Sequence, residues 1–291
     1  MKASFFRSFG GPEVLQYGDL PDPVPGAGEV VVDIHAASVN AADWKMRAGQ
    51  YSAGIAFPHV PGRDFSGVVA ALGEGAQDFK AGDAVFGVCE VPREGAYAGK
   101  IAIRQQILAS KPERLTHVQC AAVALAGLTA LVSLEDTLGL KAGETILIHG
   151  GAGGVGGFAI ALARHLGARV LTTASAANHD YVRSLGADQA IDYRVQDFAR
   201  LVSGCDAVFD TVAGTSPCEA SRCCVPAGVS PASPWARAPR PPRVPMPRRC
   251  GRRSTATGRT SSASRRWSCR ASFRSPPSSN IRSPRRRPRT A

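Results

Sequence analysis

Beyond Ser216 the chain has neither lysine nor leucine, and up to that point it has no Cys-x-x-Cys pair, no basic excess and no apolar run of 20 residues. Each absence closes a class of function. Residues 1–216 hold 17 basic and 22 acidic side chains, a net of −5, which supplies neither a nucleic-acid footprint nor an electrostatic membrane patch. Cys89, Cys120 and Cys205 stand too far apart to suggest a disulfide framework or a zinc knot, so a reducing compartment fits. The opening MKASFFRSFGGPEV lacks the apolar core of a signal peptide. The apolar stretch 118–134 is Ala-rich and shorter than the roughly 20 residues that span a bilayer, so it reads as a buried helix. The expectation is a cytoplasmic protein that does not enter a membrane.

What is present divides into two unlike parts. Residues 217–291 carry 18 Arg against the single Glu219, with 13 Pro, 13 Ser and five of the eight Cys. No periodic apolar face runs through this stretch, so burial cannot offset the entropy of ordering it, and disorder is expected.

The first part has two textures. Residues 1 to about 115 alternate short β-branched runs, at 29–39, 64–73 and 83–88, with the turn strings PDPVPGAGE, PGRD, KAGD and REGA. This predicts a β-rich domain. An Ala-rich helix near 120–138 follows, and strands then alternate with helices. Strands are expected at 144–149, 169–173, 189–193 and 205–211, with helices at 155–166 and 180–185 ended by Gly167 and Gly186. Alternation of that kind demands an α/β fold with a parallel sheet.

Gly151, Gly153 and Gly156, with Ala152, Gly154 and Val155 between them, form Gly-x-Gly-x-x-Gly where the first of those strands turns into a helix. The spacing suits a tight turn, close approach of backbone to a pyrophosphate, and close packing of helix on sheet. The free N–H groups of the helix start then face the anion. The next strand ends Thr172-Thr173-Ala174-Ser175, with no carboxylate until Asp180. A carboxylate there would hold a ribose hydroxyl and repel a 2′-phosphate, so its absence favours NADPH over NADH. Ser175, Asn178 and Tyr193 are candidate phosphate partners. The competing reading is that they cap and pack.

The strings VNAADWKMRAG, VPGRDFSGVV, KAGDAVFG, GAYA, LAGLTA, HGGAGGVG, LGAD, IDYR and FDTVAG, in that order from residue 1 to about 214, resemble the medium-chain dehydrogenase/reductase superfamily. Within it they are similar to the zinc-independent quinone oxidoreductase group. The resemblance implies a chaperonin-10-like (GroES-like) catalytic β-domain over 1–120 and a Rossmann domain over 121–216, with NADPH and substrate in the cleft between them. Zinc-dependent members carry Cys at the position of Asn40 and a His-Glu pair at Arg63 and Asp64, and they have a four-cysteine lobe after Cys89. Those ligands are replaced or missing, so no metal is expected. His35, His59, His117, His149, His165 and His179 show no paired spacing and are read as ordinary positions.

Without a Lewis acid, the implied reaction is hydride transfer to an already electrophilic small molecule, a quinone or α,β-unsaturated carbonyl. By the resemblance, Asn40 lies near nicotinamide and substrate, and Thr129 contacts the cofactor from the interdomain helix. Lys45 stands where many quinone reductases carry Tyr and is a candidate general acid, set against a solvated surface lysine. Tyr51 is a second candidate donor, set against simple packing.

A complete member continues with two more strands of the nucleotide sheet and a return to the β-domain, and it often dimerises through the last strand. The tail supplies none of that pattern, so the Rossmann sheet is expected to be incomplete and the homodimer interface doubtful. Three readings of 217–291 compete: a basic arm for nucleic acid, a disordered appendage, or a frameshifted translation of a GC-rich gene. The abrupt change inside an unfinished domain favours the third and makes nucleic acid an unlikely partner. Under that reading the product is a weak or inactive remnant of the enzyme.

Overall fold

The computed structural model describes residues 1–50 and 54–212. The expectations for Tyr51 and for the tail 217–291, its disorder and its origin included, lie outside the described residues. The first residues form strand β1 (Lys2–Phe5), paired antiparallel with β2 (Gln16–Asp19). The alternating run that follows is β3 (Glu29–Ala37), and helix α1 (Ala41–Arg47) starts shortly after it from the N-cap Asn40.

Strands β4 (Asp64–Leu72), β5 (Ala84–Val88), β6 (Lys100–Arg104) and β7 (Leu108–Ser110) complete an antiparallel sheet in the order β6-β3-β4-β5-β7. Val30, Val32, Phe65, Val69, Val85 and Ile101 make the core on one face, while Phe86 packs on the other against Cys120 and Ala124. Each such side chain contributes about 1.5–3 kcal/mol by leaving water.

Helix α2 (His117–Leu131) begins at Thr116, whose hydroxyl accepts from Gln119 N at 3.2 Å while Gln119 Oε1 accepts from Thr116 N at 2.9 Å. Its buried residues are small: Cys120, Ala121, Ala124, Ala126, Gly127 and Ala130. That lets one helix lie close to β4 and β5 and also to the first helix of the second sheet. The expected domain division at residue 120 falls in the first turn of this helix. A π-helical turn, Val132–Thr137, extends the run to 21 residues, long and apolar enough to cross a membrane by composition. The helical run thus covers the apolar stretch 118–134 and nearly all of the helix expected near 120–138.

The second sheet is parallel. Its elements are β8 (Thr145–His149), α3 (Gly154–His165), β9 (Arg169–Thr173), α4 (His179–Ser184), β10 (Gln189–Ile191), α5 (Phe198–Leu201) and β11 (Ala207–Asp210), with strand order β10-β9-β8-β11. The chaperonin-10-like sheet and the Rossmann-like sheet are thus both present. Ile146, Ile148, Val170 and Phe209 face Ala159, Ile160 and Ala163 of α3, while Leu147, Leu171, Ile191 and Val208 face Val202 and Phe198 on the other side. Both faces are covered, as the near-continuous apolar runs require. Strand β10 stops two residues short of the sequence expectation because Asp192 turns the chain, its N–H donating to Gln196 Oε1 at 2.9 Å. The strand order reverses between β8 and β11, and ligands of open α/β sheets bind at that point.

Candidate functional site

The glycine turn lies at this switch point. Gly150 has φ +72° and a side chain there would meet Val212 Cγ2 at 2.6 Å. Gly153 N donates to Gly150 O at 2.9 Å, closing the turn. A Cβ on Gly156 would meet the Gly150 carbonyl carbon and Gly151 Cα at 2.9 Å each, and one on Gly151 would meet Ile160 Cδ1 at 2.7 Å. These glycines let helix, turn and strand interpenetrate. Gly153 and Gly154 differ: the first would meet only Gly150 O at 3.2 Å and the second nothing within 4 Å. Helix α3 has no side-chain cap, and its first helix-type bond runs from Gly157 N to Gly153 O at 2.8 Å. The amides of Gly154, Val155 and Gly156 precede that bond and take no acceptor among the described residues, so the turn offers N–H groups to an anion.

Beyond the turn, the threonines of β9 are spent inward. Thr172 Oγ1 donates to Ile148 O at 2.7 Å, and Thr173 Oγ1 accepts from Gly150 N at 3.2 Å. Ser175 and Asn178 do meet, with Asn178 Nδ2 donating to Ser175 Oγ at 3.2 Å. Asp192, buried just past the end of β10, ties their turn to the next one. Its Oδ2 accepts from Ala176 N at 3.3 Å and its Oδ1 from Arg194 N at 3.0 Å. Both oxygens of this nearby carboxylate are therefore committed to backbone. Tyr193 is exposed, and the Arg194 guanidinium sits 5.9 Å from its ring centre. The sequence reading took Tyr193 and passed over its neighbour Arg194, although a cation just past the third strand is what a 2′-phosphate calls for.

The other end of the site is built on Asn40. Asp43 Oδ2 accepts from Asn40 N at 2.7 Å and from Tyr97 OH at 2.7 Å. Asn40 Nδ2 donates to Asp64 Oδ1 at 3.0 Å and lies 3.2 Å from Ser38 Oγ. Ser38 Oγ donates to Asp64 at 2.7 and 2.8 Å, and Leu125 N of α2 donates to Asp64 Oδ2 at 3.2 Å. Leu125 O in turn accepts from Thr129 Oγ1 at 2.7 Å. Two residues expected at the cofactor, Asn40 and Thr129, are thus linked by hydrogen bonds that meet at Asp64 and at the two backbone groups of Leu125. Ser38, Asp43 and Tyr97 were missed because nothing in a lone Ser, Asp or Tyr marks it until the fold brings it beside Asn40, and Asp64 was weighed only as the replacement of a zinc ligand. Burial pushes the Asp64 carboxyl up to about 6, despite its hydrogen bonds, and raises Asp43 as well.

Lys45 is half-buried with its ammonium 5.7 Å from the Trp44 ring centre, and among the described residues it has no ion pair. Nearby, the buried Glu94 lies 3.6 Å from His59 Nε2 and 4.0 Å from Arg63 Nε, while Arg63 Nε donates to Cys89 O at 3.2 Å. The residues at the implied zinc positions do not fit that ion. Arg63 is a cation, and the Asp64 oxygens are filled by Ser38, Asn40 and Leu125. Among the described residues no group of three His, Cys, Asp or Glu could hold a metal. His35 and His117, 82 positions apart in the numbering, pack with ring centres 4.5 Å apart, and His117 Nδ1 is 2.8 Å from Ser66 Oγ. Strand β3 and the start of α2 bring together what sequence spacing could not.

Two family descriptions match the chain: an alcohol dehydrogenase GroES-like domain over residues 26–159 and a zinc-binding dehydrogenase over residues 154–267. A chloroplast envelope quinone oxidoreductase homolog of Arabidopsis thaliana is 34% identical over 73% of this chain and 67% of its own length. An NADPH-dependent alkenal/one oxidoreductase of the same plant is 37% identical over 73% of this chain and 57% of its own. The chain thus spans 57–67% of the length of these two relatives. The crystal structure of Escherichia coli quinone oxidoreductase complexed with NADPH superposes with a TM-score of 0.72 at 30% identity, covering 77% of this chain and 70% of that one.

Proposed function

The chain belongs to the medium-chain dehydrogenase/reductase superfamily, in its quinone oxidoreductase group, and from that premise we propose that it reduces quinones or α,β-unsaturated carbonyls with NADPH and without zinc. The observation that carries the reading is the glycine turn at the switch point, tight where glycines pack and open at Gly153 and Gly154. Bound there, NADPH supplies the hydride. The chain's own part is to hold and orient. The amides of 154–156 would take the pyrophosphate. Ser175, Asn178, Tyr193 and Arg194 would take the 2′-phosphate, with Asp192 fixing both of their turns. Asn40 and Thr129 would meet the nicotinamide end.

The names of the relatives support the substrate class, since one is a quinone oxidoreductase homolog and another an alkenal/one oxidoreductase. Zinc independence is supported by the donor set at Asn40, Arg63 and Asp64. A quinone or enone already has an electron-poor carbon, so hydride addition needs no metal to polarise it. We place the division between catalytic and nucleotide domains near residue 120, and the protein in a reducing cytoplasm outside the bilayer. In support, Cys89, Cys120 and Cys205 are free and buried, and α2 packs its small face on β4, β5 and α3.

The test is NADPH consumption by the full chain with 9,10-phenanthrenequinone and, separately, with an alkyl enone. Turnover that survives a metal chelator is expected. Absence of turnover with both acceptors, or its loss on chelation, contradicts the proposal.

A further inference from the structure

We propose that His117 Nε2 is a nucleophile that captures α,β-unsaturated aldehydes and ketones by conjugate addition, a modification that forms without coenzyme and so lies beyond the hydride transfer proposed above.

Ser66 decides where the proton of His117 sits. Its side chain is wholly buried on β4, and its Oγ donates to Val85 O of β5 at 2.8 Å. His117 Nδ1 stands 2.8 Å from the same oxygen. A hydroxyl has one proton and a backbone carbonyl has none to give. Both contacts are therefore satisfied only when Nδ1 carries a hydrogen and donates it to Ser66 Oγ. A neutral imidazole holds one N–H, so the lone pair of His117 lies on Nε2. The residue is partly exposed in the first turn of α2, and among the described residues Nε2 takes no hydrogen bond.

The surroundings keep this ring neutral and leave it with few rivals. His117 opens a helix, where positive charge is disfavoured. Partial burial, then His35 of β3 with its ring centre 4.5 Å away, then Lys111 ahead of the helix, all hold it below the ordinary 6.5. Thiolates are the usual acceptors of such electrophiles, but Cys89, Cys120 and Cys205 are buried. Burial raises Cys120 and pushes Cys89 up to about 12, so both stay thiols. His59 and His149 are buried, and His179 Nε2 faces Ala174 O at 3.2 Å. His35 is exposed, but among the described residues no hydrogen bond fixes its tautomer.

The step balances without a further reagent. The Nε2 lone pair forms a C–N bond to the β-carbon, and the C=C π pair moves into the enolate. The ring then gives up its Nδ1 proton, which passes through water to the α-carbon. No oxidant or reductant is needed.

The test is incubation of the full chain, without coenzyme, with cyclohex-2-enone at neutral pH, followed by peptide mass spectrometry that counts adducts at His117 and His35 separately. His117 should gain the mass of one intact enone. Ser66→Ala removes the acceptor of Nδ1–H and lets the proton move to Nε2, so the His117 rate should fall about fivefold against His35. Looser packing alone would open the ring to reagent and raise that rate. Should Ser66→Ala fail to fold, a long-range proton–nitrogen correlation spectrum of the wild-type chain, with the His117 signals identified from His117→Gln, decides the point: Nδ1 protonated and Nε2 bare is expected. No adduct at His117, a ratio unmoved by Ser66→Ala, or a proton on Nε2 overturns the proposal.

Discussion

Asp64 carries a cost that can be read as a pH dependence. Its carboxyl rises from 3.8 to about 6, chiefly through burial, with Asp43 beside it adding repulsion. Because the folded chain favours the neutral form, this contribution to stability is full below about pH 4 and is lost as pH rises through about 6. His59, His117 and His149, all lowered by burial, act in the opposite sense and cost stability as pH falls below 6.5. Asp64→Asn removes the first effect and keeps the second. Relative to wild type it should gain about 3 kcal/mol between pH 4 and pH 7 in urea unfolding, and parallel curves would refute this. Arg194 makes a second residue-scale prediction. As the cation proposed for the 2′-phosphate, its change to Ala should weaken NADPH binding about tenfold and leave NADH unchanged. Equal losses for both coenzymes would remove it from that role. These two residues also show what the sequence concealed. Asn40, Asp64 and Thr129 all stand in the family strings, but the hydrogen bonds that link them do not show there, because Asp64 lies 24 positions from one and 65 from the other.

The glycine turn was the most legible element, because the need for missing side chains leaves a spacing that can be read directly. Its parts should separate under mutation. Gly156→Ala drives a Cβ into the backbone of Gly150 and Gly151, where nothing can yield, and should cost about 3 kcal/mol or prevent folding. Gly153 has φ −78° and a nearest contact of 3.2 Å for an added Cβ, so Gly153→Ala should keep a melting temperature close to wild type while its coenzyme affinity falls about tenfold or more. A Gly153→Ala protein that binds coenzyme normally would displace the pyrophosphate from this turn. Helices α1 and α5 were not foreseen, being short and set by side-chain caps at Asn40 and Asp197 more than by apolar periodicity. The 21-residue run of α2 and its π-helical turn shows the converse. Its apolar small residues serve close packing on two neighbours, a use that length and hydropathy do not report.

At the scale of the molecule, two sheets of different texture meet across α2, and the residues proposed for the coenzyme's two ends come from both sides of it. Alternating strands and turns announced the first sheet, and strand-helix alternation announced the second. What periodicity could not supply was the hydrogen-bond path from Asn40 through Asp64 to Thr129, which exists only once β4 and α2 are side by side. Every role assigned to these residues requires that the chain bind a dinucleotide. Titration calorimetry with NADPH and NADH tests it most directly. One NADPH is expected to bind per chain, at least about tenfold more tightly than NADH. No heat with either coenzyme, or a preference for NADH, would contradict it.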